Sequence, residues 1–223
     1  SKFGDNDRLS ALVSHLIGAD LLVLVSDIDS LYDAPPANAG AKRIAKVSSL
    51  DQLASAQIGG VGSAGVGSGG MITKIEAARI VTSAGIEMLL TDLTNLWDAL
   101  SGKDVGTKFT VVDDKKPSRA LWLEYASTPR GKLILDAGAV TAIIERGVSL
   151  LPAGVTKVEG TFSAGDTVEL ISQDGKVIAK GLVAHDSDEI PQLLGKSTKD
   201  LASELGAEYE RELVHRDDLV LLV

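Results

Sequence analysis

Two apolar runs constrain this chain more than anything else in it. The first is LLVLV at 21–25 and the second is IEMLLT at 86–91. Each follows a stretch with helical spacing of apolar residues, DRLSALVSHLI at 7–17 and ITKIEAARIVTS at 72–83. LLVLV, an unbroken β-favouring run followed by polar Ser26-Asp27, suits a strand buried on both faces of a parallel sheet, and IEMLLT reads as the next strand. A short helix near 93–100 continues the alternation. Strands alternating with helices imply right-handed crossovers and a doubly wound α/β sheet. In that architecture ligands sit at the carboxyl ends of the strands. Ser26, Asp27, Thr91 and Asp92 all fall there.

The stretch GGVGSAGVGSGGMITK at 59–74 packs seven glycines into twelve residues and leads straight into a helical run carrying Lys74. Glycines let backbone N–H groups approach an anion closely. A helix N-terminus behind them adds unpaired N–H groups and a positive dipole end. A lysine on the first turn then reaches a phosphate. The spacing differs from GxxxxGK[ST], because Lys74 follows Met71-Ile72-Thr73. Glycine density alone fits a slack surface loop equally well.

Two polar clusters accompany it. FGDND at 3–7 places Asp5, Asn6 and Asp7 just ahead of a helix. Helix capping accounts for one or two of them, and substrate binding is the other reading. SDIDSLYDA at 26–34 follows the first apolar run. An Asp-rich turn is common for conformational reasons, but this one stands at the edge where a nucleotide would lie.

Beyond VVDDKKPSR at 111–119 the pattern changes to short strands, with Asp174-Gly175 as a hairpin signal. Residues 1–112 read as one unit, 113–130 as a linker and 131–223 as a small β-rich, barrel-like domain. The chain has 223 residues, no cysteine and a net charge of −9. Disulfides, thiolate metal sites and a cysteine nucleophile are excluded. The charge argues against broad electrostatic adhesion to nucleic acid. No membrane span or export signal is legible, so a cytoplasmic location is expected. His15, His185 and His215 are scattered along the chain and read as structural.

In combination, FGDND, LLVLVSDIDSLYDA and GVGSGGMITKIEAARIVTSAGI closely resemble the C-terminal half of the amino-acid kinase domain in the glutamate 5-kinase family. Family members read FGDND, LLVLLTDIDGLYD and GTGGMxTKxxAA in the same order. GAVTAIIERGVSLLPAGVTKVEGTFSAGDTVELI and VHRDDLV resemble the PUA domain fused to bacterial members. The resemblance covers essentially the whole chain. It implies ATP-dependent phosphorylation of the L-glutamate side-chain carboxylate to glutamyl 5-phosphate. This is the first step of proline biosynthesis, with feedback inhibition by proline, Mg²⁺ held largely by ATP, and self-association as a dimer or tetramer.

By motif position, Asn6 and Asp5 would bind glutamate, with Asp7 organising active-site lysines and Lys74 acting at the phosphates. Ser26 and Asp27 would border ATP, Ser26 standing where many members have Thr. Ser68, Gly69, Gly70, Met71, Ile72, Thr73 and Lys74 would wrap it. An RNA-binding PUA module is the main alternative, with Lys176, Lys180, Lys196 and Lys199 as its basic candidates. The net charge of −6 over residues 126–223 disfavours it. An amino-acid kinase with another substrate is the second alternative. Family members carry a long segment ahead of FGDND that contributes part of both substrate sites. The chain is therefore expected to be a fragment that exposes a sheet edge and an apolar face. ATP-dependent glutamyl hydroxamate formation by the purified 223-residue chain should accordingly be absent.

Overall fold

The computed structural model describes residues 6–34, 38–49, 53, 70–111 and 115–223. It divides into two compact units, Ser1–Ser118 and Arg119–Val223. In the first, helix α1 (Asn6–Leu16) leads into strand β1 (Leu21–Ser26), followed by β2 (Leu31–Tyr32), β3 (Arg43–Ile44) and β4 (Lys46–Val47). Helix α2 (Met71–Ser83) leads into β5 (Glu87–Asp92), followed by α3 (Leu96–Leu100) and β6 (Thr107–Phe109). The sheet order is β1-β5-β6-β4, with β2 and β3 forming a separate hairpin.

The two helix–strand joints are built alike. Gly18 (φ +66°) and Gly85 (φ +82°) take the left-handed conformation immediately past the helices. In each joint an N–H returns to a carbonyl five residues back, Ala19 to Ser14 at 2.9 Å and Ile86 to Val81 at 2.9 Å. This Schellman termination satisfies the last-turn carbonyls and reverses the chain sharply. Each helix therefore runs antiparallel to the strand it feeds and packs on it. The helices also pack on each other, and the small buried residues Ala11, Ala77 and Ala78 allow a close approach.

β1 and β5 pair in parallel from Leu21↔Glu87 to Ser26↔Asp92, as the apolar runs predict. β6 departs from the all-parallel expectation and pairs antiparallel with β5. The only helix between them, α3, has five residues and is ~7.5 Å long, too short to carry the chain back along β5 for a parallel return. The doubly wound pattern is thus realised as a mixed four-stranded sheet.

Burial differs between the two strands, and an exposed sheet edge and apolar face accompany β1, as expected from the sequence. β5 lies between two neighbours and buries Met88, Leu89, Leu90 and Thr91 in succession. β1 ends the sheet and alternates, burying Leu22 and Leu24 while Leu21 and Val25 stay exposed. On α1, Leu9, Val13, Leu16 and Ile17 are likewise exposed.

Helix α4 (Ser118–Leu121) starts at the last residue of the first unit and is followed by a π-helical turn (Trp122–Ala126), both within the stretch read as a linker. Then follow β7 (Gly131–Leu135), α5 (Ala137–Arg146), β8 (Val155–Gly160), β9 (Thr167–Ser172), β10 (Val177–Leu182), α6 (Ile190–Leu193), α7 (Thr198–Leu205) and β11 (Leu219–Leu221). The strand order is β11-β10-β9-β7-β8. β8 and β11 are the two ends of this sheet, so the barrel-like expectation becomes an open five-stranded sheet. The Asp174-Gly175 turn joins β9 to β10 as expected, with Gly175 N–H donating to Ser172 O at 2.9 Å. Asp136 caps α5, accepting from Ala139 N–H at 2.7 Å. Leu133, Leu135, Ile143, Leu150, Leu170 and Ile190 form the centre of the core. Each such side chain contributes about 1.5–3 kcal/mol of burial.

His185 is buried within this unit. Its ring stacks on Tyr209 at 5.7 Å between centroids, and its Nδ1 lies 3.4 Å from Glu189 Oε2. Nε2 is buried without a hydrogen-bond partner among the described residues. Burial lowers its pKa below 6.5, outweighing the raising contact with Glu189. The neutral ring is therefore favoured in the folded state, and below pH 6.5 the unfolded chain takes up the proton first. Stability should be insensitive to this group above that pH and fall as pH drops towards the folded-state value. The steepest loss is about 1.4 kcal/mol per pH unit for one proton. Urea unfolding of wild type and His185→Gln between pH 7.5 and 5 should show this component only in wild type.

Candidate active site

The helix–strand joints dictate where functional side chains collect. α1 is ~17 Å long by helical rise, and β1 is ~20 Å long by strand rise. Running antiparallel across a tight turn, each helix begins at the edge where its strand ends. The N-termini of α1 and α2 thus share an edge with Ser26 and Asp92, which are register partners at the ends of β1 and β5. That edge is where open α/β sheets bind ligands.

Asp7 and Lys74 meet there across 67 positions of sequence. Lys74 Nζ donates to Asp7 Oδ2 at 3.2 Å, and both side chains are largely buried, 10% and 19% exposed. Thr73 Oγ1 lies 2.8 Å from the same carboxylate oxygen and 2.8 Å from Gly70 O. With one proton, that hydroxyl chooses between the two acceptors. Asp7 therefore fixes the first turn of α2 from α1 and balances a cation that burial would otherwise penalise.

The start of α2 is suited to an anion. Gly70 is its N-cap and supplies no side-chain acceptor, and the first turn contains no acidic residue. Among the described residues, a Cβ at Gly70 would meet nothing within 4 Å. Unpaired N–H groups, the helix dipole and Lys74 form a donor set that fits a polyphosphate. Of the remaining residues expected from the sequence, Asn6 is exposed at the start of α1, Met71 is half-buried, and Ile72 points outward. Asp5, Ser68 and Gly69 lie outside the described residues.

At the end of β1, Ser26 Oγ donates to Asp27 Oδ1 at 3.0 Å. Within the same loop Tyr32 donates its hydroxyl to Asp29, 3.1 Å from Oδ2. Burial first, then the contact with Asp29, raises the Tyr32 pKa above 10, so the phenol stays a donor at neutral pH. Asp92 accepts from Asn95 N–H at 2.8 Å and organises the turn into α3, a structural role. No group of three or more His, Cys, Asp or Glu side chains that could hold a metal occurs among the described residues.

Residues missed in the sequence join this edge as supports. Thr107 accepts from Leu31 N–H at 2.8 Å and donates to Ile44 O at 2.7 Å. Arg43 donates to Gly106 O at 2.8 Å and pairs with Asp104. Their partners lie far away in sequence, so no local pattern announces them.

Comparison with known proteins finds a match in each of the two units. Residues 1–92 match the Amino acid kinase family and residues 131–205 match the PUA domain. Along its length the chain is similar to proteins named glutamate 5-kinase. Proteins of that name are similar to 99% of it at 58% identity in Streptomyces avermitilis and 55% in Streptomyces coelicolor, and to all of it at 54% in Frankia casuarinae. The chain spans about three fifths of the length of these curated relatives, 59%, 59% and 60% respectively. No helix among the described residues is long and apolar enough to cross a membrane.

The Asp7–Lys74 pair yields a direct test. Asp7→Asn keeps the side-chain shape but leaves the Lys74 charge buried without its counter-charge. Urea unfolding should show a loss of about 2 kcal/mol, below the full value for a completely buried pair.

Proposed function

We propose that the protein containing this chain transfers the γ-phosphoryl group of ATP to the side-chain carboxylate of L-glutamate. The product is glutamyl 5-phosphate, formed in the first step of proline synthesis. The single observation that carries the reading is the Asp7–Lys74 pair at the open N-terminus of α2, within a chain similar to glutamate 5-kinases from end to end.

The chemistry asks for positioning more than proton transfer. A glutamate carboxylate is already ionised at neutral pH and needs no general base. ATP supplies the phosphoryl group, with Mg²⁺ carried on its phosphate oxygens. Two anions must be brought together and the developing charge stabilised. Lys74 and the first-turn N–H groups of α2 hold phosphate oxygens, and Asp7 keeps Lys74 aimed. Gly70 to Thr73, preceded by Ser68 and Gly69, wrap the phosphates, while Ser26 and Asp27 border the nucleotide. Asn6, with Asp5, binds glutamate. Feedback inhibition by proline, a homo-oligomer and a cytoplasmic location belong to the same proposal, as does the division into 1–112, a linker at 113–130, and a PUA domain at 131–223.

In the complete protein, glutamate should support ATP-dependent hydroxamate formation and aspartate should not. Lys74→Met should lower kcat by at least about 100-fold, the scale of one transition-state electrostatic contact, without loss of folded protein by circular dichroism. Robust turnover of aspartate, or full activity of Lys74→Met, would overturn the proposal.

A further inference from the structure

The loop between β1 and β2 is only four residues long, 27–30, carries Asp27 and Asp29, and follows Ser26 at the end of β1. Its near end is fixed by the β1–β5 pairing at Ser26↔Asp92. Its far end is fixed by something else. Leu31 is fully buried and Ser30 nearly so. Leu31 and Ile44 face each other across the β2–β3 hairpin. The Thr107 hydroxyl sits between their backbone groups, accepting from Leu31 N–H and donating to Ile44 O. A single buried side chain from β6 thus completes the hairpin's hydrogen bonding and fastens it to the main sheet.

Three further contacts lace the same segment to β6. Arg43 donates to Gly106 O at 2.8 Å, Lys108 N–H donates to Ala45 O at 2.9 Å, and Thr110 N–H donates to Val47 O at 3.0 Å. β6 is in turn paired to β5 through Leu90↔Thr107. Both ends of the loop are therefore tied to one strand, β5, directly at Ser26 and through Thr107 at Leu31. Its own side chains are braced too, Tyr32 on Asp29 and Ser26 on Asp27.

We infer that Thr107 is a positioning residue for the nucleotide site, acting with Arg43 to hold the 27–30 loop in the geometry that receives ATP. This rests on the nucleotide reading above. A preformed loop binds with less loss of conformational entropy, so loosening it weakens nucleotide binding more than it slows chemistry. Neither residue touches the phosphates or glutamate in this assignment. Their removal should therefore raise the KM for ATP selectively.

The test compares wild type, Thr107→Val, Thr107→Ser and Arg43→Gln in the complete protein. ATP binding is measured by calorimetry below the melting range, and kcat and KM are measured for each substrate. Thr107→Val removes donor and acceptor at nearly constant shape and should raise ATP Kd and KM about tenfold, with kcat and the KM for glutamate within about twofold. Thr107→Ser keeps the hydroxyl and should restore ATP binding to within about twofold of wild type. Arg43→Gln, at a partly exposed position, should shift ATP binding in the same direction and carries the test if Thr107→Val does not fold. Unchanged ATP binding in folded Thr107→Val and Arg43→Gln would overturn this inference and leave the kinase reading standing. A wild-type protein that binds no ATP would overturn the nucleotide reading and this inference with it.

Discussion

The sharp reversal between helix and strand, made twice in the same way, is the constraint on which the first unit depends. A left-handed glycine and a five-residue return hydrogen bond end both α1 and α2. Because each reversal is tight, neither helix can slide far along the strand it feeds. The parallel pairing of β1 with β5 then sets the two joints side by side. Two helix N-termini and two strand ends are thereby gathered along one edge. A longer connection at either joint would loosen that alignment before any side chain was changed.

Electrostatics at that edge follow from the same geometry. α2 has no acidic residue in its first turn, so Asp7 from α1 provides the counter-charge for Lys74. The pair is held by packing between two helices, whereas surface ion pairs depend on their own weak attraction. A lysine balanced in this way stays in place without a bound anion and can still share its remaining N–H donors with one. Thr73 adds a hydroxyl with two alternative acceptors, which ties the helix start to Asp7 without occupying the backbone N–H groups.

Much of this was legible in the sequence. The helical spacing before each apolar run marks α1 and α2, and the runs mark β1 and β5 to within a residue. The edge position of Ser26, Asp27, Thr91 and Asp92 follows from those assignments. What local pattern could not carry was strand order. The exposure of Leu21 and Val25 on β1 fits the expectation of an uncovered apolar face, whereas the antiparallel pairing of β6 had no local sign. β6 is three residues long with a lysine at its centre, too short for periodicity to mark. Arg43 and Thr107 escaped for a related reason. Their hydrogen bonds span 63 to 76 positions and exist only once β6 has docked.

The second unit bears on the rival reading as an RNA-binding module through the state of its lysines. Lys180 donates to the Glu124 carbonyl at 3.2 Å, Lys196 pairs with Glu204, and Lys157 pairs with Glu159 at 2.7 Å. Exposed pairs of this type contribute under about 1 kcal/mol each to stability. Their effect on the surface field is larger than their effect on folding, because each acidic partner cancels a cation where it stands. Phosphate backbones are bound by several uncancelled cations acting together, with counterions released in proportion. Residues 126–223 carry a net charge of −6, and two of their lysines, Lys157 and Lys196, stand against carboxylates, which weakens the positive field such a surface needs. The charge balance of this unit thus weighs against the RNA-binding reading.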